Sequence, residues 1–441
     1  MKPLRSLIPI GTATLLPQTA QRVRSLEDQL LAYLATWSYQ EIILPTFEYL
    51  DVLSVGLAPE VLDQCYKFAD RTSGRMLVLR PDATAQIARM VAMGLGGEAL
   101  PLRFSYRTTV FRYEVEHRGR DREVFQVGIE LVGNDSYQGD AEMVTMLAGV
   151  LDQVGLPEWK ISLGHVGFFK ALLSRSGLSP SGRKQAELAA AHKDLPRLEQ
   201  ILLSERLPRA MVRDILQVPE RCGQYEVLEW GKRIAGKDPQ LLKPLHRLEQ
   251  VFQQLALTQV QQHVLLDLGE FRGFDYYDGV VFDVFTAGVG REIGGGGRYN
   301  HLMGRFGRDL PAIGFGLDLD RLFSALECGG QVGSNGFAPV LLMGFRRHAK
   351  EAFALAQTLR AAGICVTEET MKNPQKFSLA LVAEEAQRRG ISRVILYDQK
   401  SGPNESVLLV EYSDSSLKPR QSRVAFQELP QRLRTEIHGD F

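Results

Sequence analysis

Apolar residues recur at helical spacing near the start of the chain and then give way to short, alternating runs. Between residues 18 and 38 they form one stripe from Val23 to Leu34, with Arg and Glu between them. This spacing predicts an amphipathic helix. The run EIILPTFEYL (41–50) predicts a short strand stopped by Pro45.

Helical periodicity returns in three further places. Residues 75–94 read as a strand, a proline break and a helix, for which Asp82 and Thr84 are the candidate caps. Residues 139–154 predict a single helix. Residues 166–258 carry Leu, Ala and Arg at helical spacing with no alternating run, which predicts an inserted helical region.

The clearest strand pattern is a pair of alternating runs joined by a charged loop. LRFSYRTTVFRYEV (102–115) and VFQVGIELVG (124–133) flank EHRGRDRE, which predicts a long antiparallel hairpin. Successive strand side chains point to opposite faces, so one face of the second strand is apolar. The opposite face of the hairpin carries Arg112, Glu114, Gln126 and Glu130.

Strand signals resume after the helical region. They start at HVLLDLG (263–269) and continue through FRGFDYYDGVVFDVF (271–285). The segment GREIGGGGRYNHLM (290–303) is interpreted as a glycine hinge leading into a helix, and AIGFGLDLDRLFSAL (312–326) as a strand followed by a helix.

The composition shifts at ECGGQVGSNGFAP, after which strands and helices alternate as β-α-β-α-β, the pattern of a small α/β domain. The expected organisation is a core over residues 1–326, a linker over 327–337 and a C-terminal α/β domain over 338–441. A mixed α+β fold follows, with an antiparallel sheet, flanking helices and a helical insertion.

Composition narrows the functional classes. The 441 residues are 44% hydrophobic and 24% charged, which is typical of a soluble globular protein. A formal net charge of zero gives no support for a global nucleic-acid-binding field. The four cysteines are far apart and fit neither a CxxC pair nor metal-ligand spacing, so we expect reduced thiols in a cytoplasmic protein and no metal site. A signal peptide and a membrane span are not expected.

The polar face of the hairpin suits a zwitterionic ligand. Carboxylates bind an ammonium group, and a guanidinium binds a carboxylate or a phosphate. The loop adds Arg118, Arg120 and Arg122, which Glu116, Asp121 and Glu123 counter. A solvated face is the more common interpretation of any one of these residues, but convergent polar groups above an apolar floor favour a binding site.

Two further features have both a structural and a functional interpretation. The glycines 294–297 do not follow the spacing G-x-G-x-x-G and precede no Lys-Ser/Thr pair, so they match neither nucleotide-binding fingerprint. The alternative is close backbone packing beneath a ligand or against another strand. Tyr276 and Tyr277 are interpreted either as the wall of a pocket or as two core tyrosines.

Taken in order, these segments resemble the catalytic core of the histidyl-tRNA synthetase family, which has a class II aminoacyl-tRNA synthetase fold. The resemblance covers residues 1 to about 326, and the tail is more loosely similar to the family's anticodon-binding domain. It is carried by RPDATAQIAR, VFRYEVEHRGRDREVFQVGIELVG, RGFDYYDGVVFD, IGGGGRYNHL and AIGFGLDLDRL.

The resemblance implies a histidine pocket. Asp82 and Thr84 match the loop positions that hold the α-amino group of histidine in that family. Gln126 and Glu130 match the hairpin residues of the pocket.

The resemblance also assigns a set of tyrosines and arginines. Tyr276 and Tyr277 fall on the paired tyrosines near the imidazole. Arg112 matches the arginine that binds carboxylate and phosphate. Arg272 falls on an arginine that serves adenylate formation in the synthetase, and we count it among the expected histidine-binding residues. Arg321 falls on an arginine that binds ATP.

Departures from the synthetase pattern fall on the nucleotide side. Asp82 stands where the synthetase has glutamate, and Val115-Glu116 follow Glu114 where it has Arg-Pro. Asp318 replaces a glycine, so a carboxylate would repel phosphates. The segment 373–376 carries less lysine than expected, which weakens a tRNA-binding face. Glu114, Asp318 and Arg321 are therefore interpreted as remnants of a nucleotide site.

These changes fit a paralogous family, the regulatory subunits of ATP phosphoribosyltransferase. That resemblance implies a non-catalytic subunit without cofactor or metal, which binds free histidine for feedback regulation of histidine biosynthesis. Its expected partners are the short catalytic subunit and a second copy through the core, and tRNA is not expected. Because that family usually lacks a C-terminal domain, the tail counts against this interpretation. The alternatives are an active histidyl-tRNA synthetase and a binding module for another small molecule.

Overall fold

The structure, a computed structural model, describes residues 8–94, 99–113, 122–270, 276–328, 339–345, 348–371, 378–389, 391–397, 406–412 and 419–435. The chain divides into two compact units, Met1–Gly333 and Ser334–Phe441.

The first unit surrounds one large sheet. Its helices are α1 Pro17–Thr36, α2 Leu50–Leu53, α3 Pro59–Asp63, α4 Ala83–Met93, α5 Tyr137–Gln153, α6 Val166–Arg175, α7 Pro180–Ala191, α8 Leu195–Ser204, α9 Arg209–Gln217, α10 Glu226–Ala235, α11 Pro239–Ala256 and α12 Leu319–Cys328. Its strands are β1 Gln40–Glu41, β2 Phe47–Tyr49, β3 Lys67–Ala69, β4 Met76–Leu79, β5 Leu102–Phe111, β6 Glu123–Val132, β7 Lys160–His165, β8 Cys222–Gly223, β9 Val264–Asp267, β10 Val280–Phe285, β11 Gly294–Arg298 and β12 Ala312–Asp318.

Nine of these strands form the main sheet, in the order β1-β5-β6-β12-β11-β10-β7-β9-β8. The pairs are antiparallel except β1–β5 and β7–β9, which are parallel. The predicted hairpin is confirmed as β5 and β6, which pair over their full length. Its apolar face is confirmed as well, since Val127, Ile129 and Leu131 belong to the main core.

The helix predicted over 18–38 is confirmed as α1. Pro17 occupies its first turn, where a missing N–H costs nothing, and Val23, Leu26, Leu30 and Leu34 are buried. The helix predicted over 139–154 is confirmed as α5, which Ser136 caps by accepting a hydrogen bond from the Gly139 N–H.

Two sequence-based predictions are wrong. The glycine segment is strand β11, between β10 and β12, rather than a hinge, and only the 3-10 turn Met303–Phe306 follows it. Glycine is required there because a Cβ at Gly296 would lie 2.0 Å from the Gly314 carbonyl oxygen. The run 41–50 is not one strand, because Glu41 ends β1 of the main sheet and Phe47–Tyr49 form β2 of another sheet, with residues 42–46 outside any strand.

The region predicted as a helical insertion contains α6 to α11. It also contains the two-residue strand β8, which pairs with β9 at the edge of the main sheet. A two-residue strand leaves no periodic signal in the sequence. Helix α11 packs against α5, α6 and α10, so the insertion is continuous with the core.

The second unit is a small α/β domain. Its elements are β13 Val340–Phe345, α13 Ala349–Ala361, β14 Val366–Met371, α14 Leu379–Arg388, β15 Arg393–Tyr397, β16 Ser406–Glu411, β17 Arg420–Ala425 and α15 Leu429–Thr435. The sheet order is β14-β13-β15-β16-β17, with the first three strands parallel. The predicted alternation is confirmed, and β17 and α15 extend it at the C-terminal end of the described residues. Across the described parts of both units, every helix is too short or too polar to cross a membrane.

Candidate functional site

A cavity of about 570 Å³ opens over the centre of the main sheet. It is lined by Asp82, Thr84, Tyr106, Val110, Arg112, Val124, Gln126, Tyr276, Tyr277, Val289, Gly290, Arg291, Glu292, Gly294, Gly295, Tyr299, Gly314, Phe315, Gly316, Asp318, Asp320, Arg321 and Ser324. We call Asp82, Thr84, Tyr106, Gln126, Tyr276, Tyr277 and Tyr299 the tyrosine half, and Arg291, Glu292, Asp318, Asp320, Arg321 and Ser324 the arginine half.

Glycines in the sheet make room for this cavity. Gly316 of β12 pairs with Gly128 of β6, and Gly314 pairs with Glu130. A Cβ at Gly316 would lie 2.5 Å from the Gln126 amide nitrogen, and one at Gly128 would lie 2.4 Å from the Tyr106 hydroxyl. The larger polar side chains therefore fit only because their neighbours across the strands have no side chain.

In the tyrosine half, hydrogen bonds hold the Asp82 side chain in one orientation. It caps α4, because its Oδ1 accepts a hydrogen bond of 2.7 Å from the Thr84 N–H. Its Oδ2 accepts a bond of 2.9 Å from the Tyr276 hydroxyl. A carboxylate has about four acceptor positions, so these two bonds orient Asp82 and leave capacity for a cationic ligand.

Glu130 lies directly behind the cavity wall. Its Oε1 accepts a bond of 2.7 Å from the Thr84 hydroxyl, and its Oε2 accepts one from the Tyr299 hydroxyl. Burial raises the pKa of this carboxyl from an ordinary value of 4.5 to about 8, although both hydroxyl bonds oppose the rise. Glu130 thus supports two residues that line the cavity.

The tyrosine rings pack against one another. The Tyr276 ring lies 4.8 Å from that of Tyr277 and 5.7 Å from that of Tyr299, measured between centroids. Tyr276 and Tyr299 are buried, and burial raises the pKa of each hydroxyl well above its ordinary value. Both hydroxyls therefore stay protonated, and the Tyr276 hydroxyl donates its hydrogen bond to the Asp82 carboxylate.

Arg112 lies between the two halves. Its Nε donates to the Pro81 carbonyl oxygen over 2.7 Å, which ties the end of the hairpin to the segment that carries Asp82. Its charge also acts on Tyr106 in one half and on Asp318 in the other, opposing the rise in pKa that burial causes in each. This position suits a guanidinium that meets an anionic group in the middle of the cavity.

The arginine half is built around an internal ion pair. Arg321 Nε lies 3.0 Å from Asp318 Oδ2, and its Nη1 lies 2.9 Å from Glu292 Oε1 and donates to the Glu292 carbonyl oxygen over 2.8 Å. The Arg321 N–H also donates to Asp318 Oδ1 over 3.1 Å. Burial raises the pKa of Asp318, and the charge of Arg321 opposes this. The Arg321 guanidinium is therefore already paired with two carboxylates.

The structure brings most of the predicted site residues together. Of these, Asp82, Thr84, Arg112, Gln126, Tyr276, Tyr277, Asp318 and Arg321 line the cavity, and Glu130 lies behind it. Arg272 and Glu114 lie outside the described residues, as do Val115, Glu116 and the segment 373–376.

Six residues of the two halves were missed in the sequence, namely Tyr106, Arg291, Glu292, Tyr299, Asp320 and Ser324. Tyr106 shares the period-2 face of Arg112 on the same strand run, so the alternation that selected Arg112 also contained it. Tyr299 lies in the motif IGGGGRYNHL, one residue after the end of β11. Glu292 gave no signal, because its contact with Arg321 joins residues 29 positions apart.

The arrangement suits binding of a small zwitterion better than metal chemistry. Buried acceptors at Asp82 face the cavity with the charge of Arg112 nearby, so a positive and a negative ligand group each meet a complementary group. Within the described ranges, His, Cys, Asp and Glu form no group of three or more that would hold a metal ion.

Comparison with known proteins places this geometry in a family. The family model described as histidyl-tRNA synthetase matches residues 11–322. The ATP phosphoribosyltransferase regulatory subunit of Geobacter sulfurreducens is 34% identical over 427 residues, covering 97% of this chain and 96% of the relative.

Solved structures agree with this. An ATP phosphoribosyltransferase regulatory subunit/histidyl-tRNA synthetase from Bacillus halodurans has a TM-score of 0.77 at 27% identity, covering 90% of this chain and 99% of that chain. A histidyl-tRNA synthetase from Nostoc sp. PCC 7120 has a TM-score of 0.80 over 98% of this chain and 100% of that chain, at 21% identity. The predicted fold class is confirmed.

Proposed function

This chain belongs to the family of ATP phosphoribosyltransferase regulatory subunits, which is built on the histidyl-tRNA synthetase fold, and from that premise we propose that it is a non-catalytic regulatory subunit. In this proposal it binds the short catalytic subunit of ATP phosphoribosyltransferase in the cytoplasm, enables the first step of histidine biosynthesis and binds free histidine for feedback regulation. The core also forms a dimer with a second copy.

The observation that carries the proposal is the difference between the two halves of the cavity. The tyrosine half offers oriented acceptors at Asp82 and a nearby guanidinium at Arg112. In the arginine half, Asp318 and Glu292 pair with Arg321, the residue that would meet a nucleotide phosphate. A phosphate would have to displace two carboxylates and then remain close to them, which Coulomb repulsion opposes.

Histidine fits the tyrosine half group by group. Its α-ammonium is assigned to Asp82 and Thr84, and its carboxylate to Arg112. Its imidazole is assigned to the wall formed by Tyr276 and Tyr277. Glu130 acts on the ligand through Thr84 and Tyr299, which its carboxyl holds in place.

The C-terminal unit no longer counts against this proposal. The match to the Geobacter sulfurreducens regulatory subunit covers 97% of this chain, a share that requires most of the second unit. A tail of this kind is therefore compatible with a regulatory subunit.

Co-purification tests the proposal. The chain is co-expressed with a short catalytic ATP phosphoribosyltransferase subunit that carries the only affinity tag, and phosphoribosyl transfer is then measured with and without histidine. We expect a stable complex whose activity requires this chain and changes with histidine. A catalytic subunit that neither retains this chain nor responds to it would contradict the proposal.

An active histidyl-tRNA synthetase is the second candidate. The specific observation in its favour is that Arg112 and Arg321 both line the cavity, as the resemblance to the synthetase requires. Charging of tRNA with histidine by the purified chain would establish it. Histidine binding without formation of histidyl-adenylate would exclude it.

A further inference from the structure

A buried ion-pair cluster lies outside the cavity and connects it with the helical insertion. Its centre is Asp140 of α5, whose side chain is fully buried. The Oδ1 of Asp140 accepts a hydrogen bond of 2.7 Å from Arg298 Nε, and its Oδ2 accepts one of 2.6 Å from Arg247 Nε. Arg298 ends β11 in the sheet, whereas Arg247 belongs to α11.

On the cavity side, Arg298 holds the backbone around two lining tyrosines. It immediately precedes Tyr299, and its carbonyl oxygen accepts a hydrogen bond of 3.0 Å from the N–H of Asp278, the residue after Tyr277. A Cβ at Gly279 would lie 2.8 Å from the Arg298 Cβ, so this turn packs directly on the arginine stem.

A second set of bonds closes the turn. Asp278 accepts hydrogen bonds of 3.1 Å each from the N–H groups of Asn300 and His301. Arg298 Nη1 donates to the Asn300 side chain over 3.1 Å and to the Asn134 carbonyl oxygen over 2.8 Å. The two chain segments that carry Tyr277 and Tyr299 are thus fixed to each other and, through Arg298, to Asp140.

On the insertion side, Arg247 also contacts the segment that precedes α5. Besides Asp140, its Nη2 donates to the Asp135 carbonyl oxygen over 3.0 Å. Asp140 therefore joins a guanidinium beneath the cavity to one on the insertion, and the exposed Asp135 lies 3.5 Å from Arg298 Nη1 and 3.8 Å from Arg247 Nη2. Loss of Arg247 leaves Asp140 bonded to Arg298 alone and removes its link to the insertion.

We infer that Arg298 and Arg247 are positioning residues for the ligand of the tyrosine half, acting through Asp140, although neither lines the cavity. The inference rests on the proposed histidine binding. Because the cluster spans the sheet and the insertion, the orientation of α11 and the affinity of the cavity are coupled, and such coupling is reciprocal.

Substitution at Arg247 tests the inference with a control on the same helix. Arg247→Gln removes the charge that reaches Asp140. Glu249→Gln breaks a comparable ion pair two residues further along, at 2.7 Å from Lys232, which lies on α10 and does not approach the cavity. The side chains of Arg247 and Glu249 are similarly buried, with exposed fractions of 22% and 18%.

Histidine affinity is measured by calorimetry on the full-length wild type, Arg247→Gln, Arg247→Lys and Glu249→Gln. We expect Arg247→Gln to weaken binding about 5- to 30-fold, within the usual range of coupling between sites. Arg247→Lys restores most of the affinity because it keeps a cation beside Asp140. Glu249→Gln binds like the wild type even where its melting temperature falls.

Equal affinities for Arg247→Gln and the wild type would overturn the inference and leave the proposed function standing. A parallel loss of affinity in Glu249→Gln would overturn it as well, because the effect would then be one of general stability. A wild type that does not bind histidine overturns both.

Hydrogen exchange on the wild type covers the case in which Arg247→Gln does not fold. Saturating histidine should slow exchange of the α11 amides around Arg247 more than that of the α10 amides around Lys232. Equal protection of the two helices would contradict the coupling.

Discussion

In the tyrosine half, the buried carboxylate of Asp82 accepts hydrogen bonds from neutral groups, whereas in the arginine half the carboxylates of Asp318 and Glu292 pair with the charge of Arg321. The first arrangement orients an acceptor and leaves its charge available to a ligand. The second arrangement pairs the Arg321 guanidinium with carboxylates, so its positive charge is already balanced where a nucleotide phosphate would bind. The two halves therefore present different charges to a ligand, although they belong to one cavity.

The strongest test of this comparison removes the charge of Asp82. We expect Asp82→Asn to weaken histidine binding by at least about 100-fold, near 3 kcal/mol, because the ligand ammonium then faces a neutral amide. Calorimetry measures the change. Asp318→Asn, on the other side of the cavity, is the control and should leave histidine affinity within about twofold. Equal effects of the two variants would erase the distinction between the halves.

Glu130 gives the second test, through pH. Its folded pKa of about 8 lies above its ordinary value of 4.5. Between these values the folded chain keeps a proton that the unfolded chain has lost, so the free energy of unfolding falls as pH rises through this window.

Glu130→Gln removes this proton linkage while keeping an acceptor for Thr84 or Tyr299. We expect the variant to match the wild type near pH 5 and to exceed its stability at pH 9 by on the order of 3 kcal/mol, as measured by urea unfolding. The control is Glu142→Gln, which breaks the ion pair between Glu142 of α5 and Arg103 of β5. This variant should not reproduce the pH dependence of Glu130→Gln. A constant difference across pH would contradict the account of Glu130.

The third test attempts to restore the arginine half. Asp318→Gly together with Glu292→Gln removes both carboxylates from Arg321, and we expect affinity for MgATP to rise about 10-fold, or near 1.4 kcal/mol. The change is followed by thermal shift over a series of MgATP concentrations. Adding Arg321→Met should abolish the gain. A double variant that binds MgATP no better than the wild type would show that the carboxylates do not block the site.

The smallest expected effect is at Tyr276. Tyr276→Phe removes one hydrogen bond to Asp82 and keeps the ring, so histidine affinity should fall about 5-fold, near 1 kcal/mol. Tyr225→Phe, which removes a hydroxyl that donates to Glu249 in the insertion, should leave the affinity unchanged in the same titration. An effect larger than that of Asp82→Asn would mean that the hydroxyl contacts the ligand rather than positioning the carboxylate.

The sequence predicted those parts of the site that depend on local periodicity and motifs. Alternation along β5 and β6 separated the core face of Val127 from the cavity face of Gln126, because a strand repeats every two residues. Motif resemblance added the Asp82 segment and the tyrosine pair. These features needed no knowledge of distant contacts.

The rest depended on contacts between distant residues. The glycine run of β11 favours a hinge in the sequence because glycine has a low strand propensity. The structure instead confirms the alternative, close packing against another strand, since the β12 backbone leaves no room for a Cβ. The pairing of Glu292 with Arg321 and the raised pKa of Glu130 arise from tertiary contact and burial. Neither leaves a pattern in the sequence.

Histidine-dependent exchange of pyrophosphate into ATP tests the central claim most directly, on a sample whose histidine binding has first been confirmed by calorimetry. The account predicts histidine binding with no exchange above the background without enzyme, because the arginine half does not accept the nucleotide. Exchange that requires both histidine and ATP would contradict it and would show that the chain forms histidyl-adenylate.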